Sequence, residues 1–170
     1  MRPFPFLLLV SALCAFPAKA QGTDSRQCEA AEAITPDARI AACTRLLDQG
    51  TANARSRAMV LTNRAWPYSL QRRFDLAIAD LNEASRLVPN SAVILNDRAF
   101  ARLRMGQLDA ALADYEGALR IDPATVFSLF GRGLVEARRG DKISAQRDFD
   151  AARQLQPDVE AVFSRLGVIQ

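Results

Sequence analysis

The chain has no histidine, and only two of its 22 basic residues, Lys19 and Lys142, are lysines. Without histidine there is no imidazole to move protons near neutral pH, no histidine-based triad and no histidine-ligated metal. Three cysteines without histidine make a poor zinc set. Lys142 falls in a predicted turn, which leaves a Ser–Lys dyad without a frame. No stretch alternates like a strand, so no glycine-rich phosphate loop follows one. These absences point away from an enzyme, and no cofactor is expected.

Long apolar runs are missing too, except at the N-terminus. "MRPFPFLLLVSALCAFPAKA" carries Arg2, an apolar run from Phe6 to Phe16, and then Ala18-Lys19-Ala20. That order is the pattern of a secretory signal over residues 1–20, with cleavage after Ala20. A membrane anchor is the competing reading, but the run is well short of the ~20 residues a spanning helix needs. Leu13 before Cys14 argues against a lipid-modified cysteine. Removing residues 1–20 takes Arg2 and Lys19 away, leaving 20 basic against 19 acidic residues, a net charge of +1. A chain so balanced lacks the excess charge that holds nucleic acid or an anionic membrane surface. Cys28 and Cys43 are then the cysteines that remain, and in an oxidising compartment such a pair is more often a disulfide than two free thiols. A periplasmic or secreted protein follows, with no membrane insertion after cleavage.

What the sequence does have is a repeat. "AIADLNEASRLVP" (Ala77–Pro89), "ALADYEGALRIDP" (Ala111–Pro123) and "AQRDFDAARQLQP" (Ala145–Pro157) start 34 residues apart. They extend into units 58–91, 92–125 and 126–159, in which equivalent positions keep their chemistry. Leu61, Leu95 and Leu129 match, as do Ala65, Ala99 and Gly133, then Leu81, Tyr115 and Phe149. Apolar residues fall at three- and four-residue steps, the stripe of a helix. Each unit breaks in the middle, at Arg72-Arg73, Gly106 or Gly140, and stops at a proline, which cannot continue a helix. Each unit therefore reads as helix, turn, helix, with Ser91, Thr125 and Asp158 as N-caps of the helices that follow.

With its small pair (Ala99 and Ala111), Tyr115, Ala118 and Pro123, each repeated one period away, the chain resembles the tetratricopeptide-repeat (TPR) proteins. The resemblance implies an all-α solenoid of antiparallel helix pairs, its first helices lining a concave face. Residues 160–170, "EAVFSRLGVIQ", restart the first-helix pattern and are expected to form a capping helix. Residues 21–57 are expected to hold a degenerate hairpin, with Arg26–Ala33 and Ala38–Gly50 as its helices. Exported bacterial members of the family look similar there, which implies a disulfide between Cys28 and Cys43 at facing positions.

Pro67 breaks the pattern inside the first helix of unit 58–91, where a kink or a restart is expected. Arg64, Arg98 and Arg132 each precede an aspartate by sixteen residues: Asp80, Asp114 and Asp148. Catalytic carboxylates have no reason to triplicate at a fixed period. The two readings are a row of ligand-binding charges and an Arg–Asp bridge within each helix pair, and the repetition favours the bridge.

Carried over from the family, the concave positions are Met59, Thr62, Trp66 and Ser69, then Val93, Asn96, Phe100, Leu103 and Arg104, then Phe127, Phe130, Leu134 and Arg138. They imply an apolar groove with Asn96, Arg104 and Arg138 as polar handles. Where chaperone-binding members grip a terminal carboxylate, this chain has Thr62, Trp66, Asp97, Phe127 and Gly131, so that clamp is missing. The expected function is a non-enzymatic module that binds an apolar or amphipathic segment of another protein, as a monomer or weak homo-oligomer. A structural, self-associating component is the alternative.

Overall fold

The structure, a computed structural model, describes residues 18–30 and 34–169. Most of the expected signal, residues 1–17, lies outside them; residues 18–20 open the first helix. Nine helices and no strand are present among the described residues: α1 (Ala18–Glu29), α2 (Pro36–Gln49), α3 (Ala54–Leu70), α4 (Phe74–Leu87), α5 (Ala92–Arg104), α6 (Leu108–Ile121), α7 (Val126–Arg139), α8 (Lys142–Leu155) and α9 (Val159–Arg165). Each helix from α1 to α7 packs on the next, α3, α5 and α7 also touch in sequence, and α9 packs on α7. The first helices thus stack side by side along one face.

Local chemistry sets the ends. The side chains of Asn53, Ser91 and Asp141 accept hydrogen bonds from the third residue onward, capping α3, α5 and α8. Thr125 and Asp158 sit before α7 and α9 but make no such bond; the Thr125 hydroxyl donates to the Asp122 carbonyl instead. Pro89, Pro123 and Pro157 each follow the end of a second helix by two residues. Gly106 (φ 77°) and Gly140 (φ 92°) turn the later hairpins in the left-handed region, and the same place in the first is held by Arg72 at φ 61°. Pro67 causes no restart. α3 runs on to Leu70 with Pro67 in its last turn, where it forfeits the one backbone bond its missing N–H would make.

The Arg–Asp bridges are present. Arg64 meets Asp80 at 2.8 Å, Arg98 meets Asp114 at 2.7 Å, and Arg132 meets Asp148 at 2.6 Å, each through two guanidinium nitrogens. All three aspartates are buried. Asp114 also receives Arg102 at 2.6 Å. Each bridge joins the two helices of one hairpin, so losing either partner strands a buried charge.

At the N-terminal end Cys28 on α1 and Cys43 on α2 form a disulfide, with Sγ atoms 2.05 Å apart. The first helix of this hairpin lies earlier than the sequence suggests, at Ala18–Glu29 instead of Arg26–Ala33. Among the described residues no helix is long and apolar enough to cross a membrane.

Candidate functional site

The concave face divides into an open and a covered part. In the open part Met59, in the second turn of α3, and Val93 and Phe127, the second residues of α5 and α7, stand one period apart, with Phe127 at the border of the covered part. They are 49%, 62% and 39% exposed, far more than a large apolar side chain gains by staying in water. Thr62, whose hydroxyl donates to the Ala58 carbonyl, and Asn96 lie a turn further along. A shallow depression beside them is bounded by Met59, Thr62, Asn90, Ser91 and Val93.

The covered part is closed by the chain itself. α9 is only seven residues long and turns across the groove. Its Phe163 ring lies 4.6 Å from Phe130, 5.9 Å from Phe127 and 6.4 Å from Phe100, centroid to centroid. Phe163 therefore reaches α5 as well as α7 and is itself only 1% exposed. Arg104 donates to the Leu166 carbonyl (2.7 Å), and Arg138 to the Leu103 (3.2 Å) and Val168 (3.5 Å) carbonyls. The Arg153–Glu160 ion pair holds the start of α9 to α8. A helix capping the last unit would cover only that unit's apolar face; this one also fills the middle of the groove.

This covering corrects part of the sequence reading. Phe130 and Leu103, expected on a partner-facing surface, are buried and present nothing to a partner. Phe130 packs between Phe149 and Phe163, and Leu134 is partly buried against the same core. Ser69 is buried as well. Arg104 and Arg138, expected as handles for a ligand's acids, are tied to backbone carbonyls of the C-terminal segment and of α5. Phe100 is buried yet still lines a cavity.

That cavity, about 210 Å³, lies between α3, α5, α7 and α9, and is lined by Trp66, Asn96, Asp97, Phe100, Tyr115, Phe127, Phe163 and Leu166. Sequence reasoning brought together Trp66, Phe100 and Phe127, and named Asp97 only as part of a missing clamp. It missed Tyr115, read as a repeat-framework residue, and Phe163, read as part of a cap. The Asp97 carboxylate accepts from the Asn96 amide (3.2 Å), which in turn accepts from the Ser128 hydroxyl (2.9 Å). Asp97 is half-buried at the cavity wall, and its desolvation there pushes it up to about 6. Burial likewise pushes the Tyr115 phenol upward. Among the described residues no cluster could hold a metal ion.

No family model and no curated protein matches the chain. Solved structures do. The TPR domain of Arabidopsis OM64 is 22% identical, with a TM-score of 0.61 over 67% of this chain and 97% of that one. The first TPR domain of Spaghetti (RPAP3), bound to the HSP90 peptide SRMEEVD, is 20% identical, with a TM-score of 0.60 over 69% and 96%. YrrB, described as a TPR protein with an unusual peptide-binding site, is 19% identical, with a TM-score of 0.62 over 76% and 66%. At these identities the likeness speaks for the fold.

Proposed function

We propose that this tetratricopeptide-repeat solenoid is a non-enzymatic binding module whose concave face takes an apolar or amphipathic segment of another protein. One observation carries the reading: Met59, Val93 and Phe127 form an exposed apolar row, one residue per repeat, on the stacked first helices. A periodic row suits a ligand laid along the solenoid, which meets one anchor per repeat. Burying three such side chains against a partner supplies the kind of hydrophobic anchor that dominates interface energetics. Peptide binding in the RPAP3 domain and in YrrB is consistent with this use of the fold. The clamp residues for a terminal carboxylate are absent, which argues against a C-terminal acidic peptide as the ligand. The Cys28–Cys43 disulfide favours an oxidising compartment, in keeping with export.

The test is a triple variant, Met59→Ser, Val93→Ser and Phe127→Ser. A partner that co-purifies with the wild-type chain should be lost from the variant while its helical circular dichroism stays unchanged. Undiminished capture would remove the row from the interface. Loss of a wild-type dimer, seen by light scattering, would assign the row to self-association instead.

A further inference from the structure

Three aromatic pairs wall the cavity of the covered half. Trp66 and Phe100 lie 5.5 Å apart with planes tilted by 37°, Phe100 and Phe163 are tilted by 64°, and Phe127 and Phe163 by 33°. None stacks face to face, so the rings surround a space and do not fill it. Two oxygen-bearing groups interrupt the apolar wall. Tyr115 is fully buried, and its hydroxyl has no hydrogen-bond partner. Asp97 carries a carboxylate that forms no ion pair among the described residues; Arg39 acts on it only at a distance and donates to the Cys28 carbonyl (3.0 Å) and the Asn63 side chain (3.5 Å).

We propose that this cavity is an aromatic cage for an alkylammonium group, with Asp97 as counter-ion and the free Tyr115 hydroxyl as an additional polar contact. Ring faces attract a cation and repel an anion, and desolvation strengthens that preference. An anion would meet both the ring faces and the Asp97 charge. A neutral apolar group would leave the Asp97 carboxylate with the Asn96 amide alone and the Tyr115 phenol unpaired, which is costly. An alkylammonium supplies a positive charge for Asp97 and carbon-bound hydrogens for the rings. Arg104, whose guanidinium lies over the Phe100 ring at 5.9 Å from its centroid, and Arg138 keep their charge and oppose a cation here, so the Asp97 carboxylate and the ring faces must outweigh them. At about 210 Å³ the space is smaller than the roughly 300–1,000 Å³ of pockets for drug-sized ligands, so it suits a head group or one side chain. A lysine side chain of a docked partner and a free quaternary ammonium share this chemistry.

The inference rests on the concave face being a binding surface, yet it can fail alone. A cage that ignores cations while the Met59/Val93/Phe127 row still captures a partner would leave the proposed function standing. Trp66 is the chain's one tryptophan and lines the cavity, so its fluorescence reports occupancy directly. The full chain is titrated with tetramethylammonium chloride, with 3,3-dimethylbutan-1-ol as a neutral probe of related shape, and with an N-acetyl-lysine-amide peptide, all at matched ionic strength. A saturable fluorescence change with a cation and none with the neutral probe supports the cage. The near-isosteric Asp97→Asn should then weaken cation binding by at least about tenfold, the loss of one countercharge. Phe127→Ala, at a half-exposed ring, should weaken it with the fold intact by circular dichroism. Tighter binding of the lysine peptide than of tetramethylammonium assigns the site to a partner's side chain, and the reverse order to a free cation. The inference is overturned if neither cation produces a saturable change, if the neutral probe binds equally well, or if Asp97→Asn binds like the wild type.

Discussion

The two halves of the groove are made from the same repeat positions and differ in what lies over them. At one concave position the units carry Thr62, Asn96 and Phe130; at another, Trp66, Phe100 and Leu134. At the first of these positions Thr62 stands on the open part, Asn96 at the edge of the cavity, and Phe130 where Phe163 of α9 covers it. The framework positions change little, because every hairpin must close in the same way. The facing positions are free of that demand and follow their local neighbour. Asn63, Asp97 and Gly131 make the same point. Gly131 has no side chain because a Cβ there would collide with the Tyr115 ring, whereas Asp97 one period earlier looks into a cavity.

The largest expected effect separates the halves by stability. Phe163→Ala empties the centre of the aromatic cluster and should cost ~3–5 kcal/mol in chemical denaturation. Met59→Ser, on the open row, should stay within about 0.5 kcal/mol. Equal costs would mean that α9 does not hold the covered half.

Next in size is the pH response of the cage. Asp97 has a folded-state value of about 6, above its ordinary 3.8, so the folded chain holds this proton more tightly than the unfolded one. Its contribution to stability is complete below about pH 4 and is lost as pH rises through about 6. Asp97→Asn should therefore be more stable than the wild type at pH 7, by about 1–2 kcal/mol once solvent access through the cavity is allowed for, and should lack that part of the decline. Parallel pH–stability curves for the two proteins would contradict the burial of this carboxylate.

The smallest effect lies in the hairpin that carries the open half. Arg72 occupies the left-handed place that Gly106 and Gly140 fill in the later hairpins. Arg72→Gly should stabilise by roughly 0.5–1 kcal/mol in thermal or urea unfolding, the relief of strain outweighing the added freedom of the unfolded chain. A loss of similar size would show that the Arg72 side chain contributes more than its backbone costs.

The repeat, the hairpins and the Arg–Asp bridges were legible because each recurs: a fixed period repeats the same physical demand three times. The direction of α9 was not legible. Phe163, Leu166 and Gly167 fit the first-helix pattern, and a pattern states which residues are apolar, not which surface they cover. With only seven helical residues, α9 is too short to rebuild a full first helix, and its apolar side chains find the aromatic face of α5 and α7 instead. That turn packs Phe163 on Phe130, takes up Arg104 and Arg138 and closes the cavity, so these misread residues trace to one segment. Asp97 escaped notice as a site for the opposite reason: it occurs once, between Asn63 and Gly131, and nothing periodic marks it.

Site-specific photocrosslinking tests most directly whether the open row is the partner surface. A photoreactive residue is placed at position 59, 93 or 127, and at Ile143 on α8, which is 79% exposed and apolar but lies on a second helix. The three row positions should yield adducts with one and the same protein, and position 143 none. Adducts with that protein from position 143 as readily as from the row, or none from the row while the partner still co-purifies, would contradict the account.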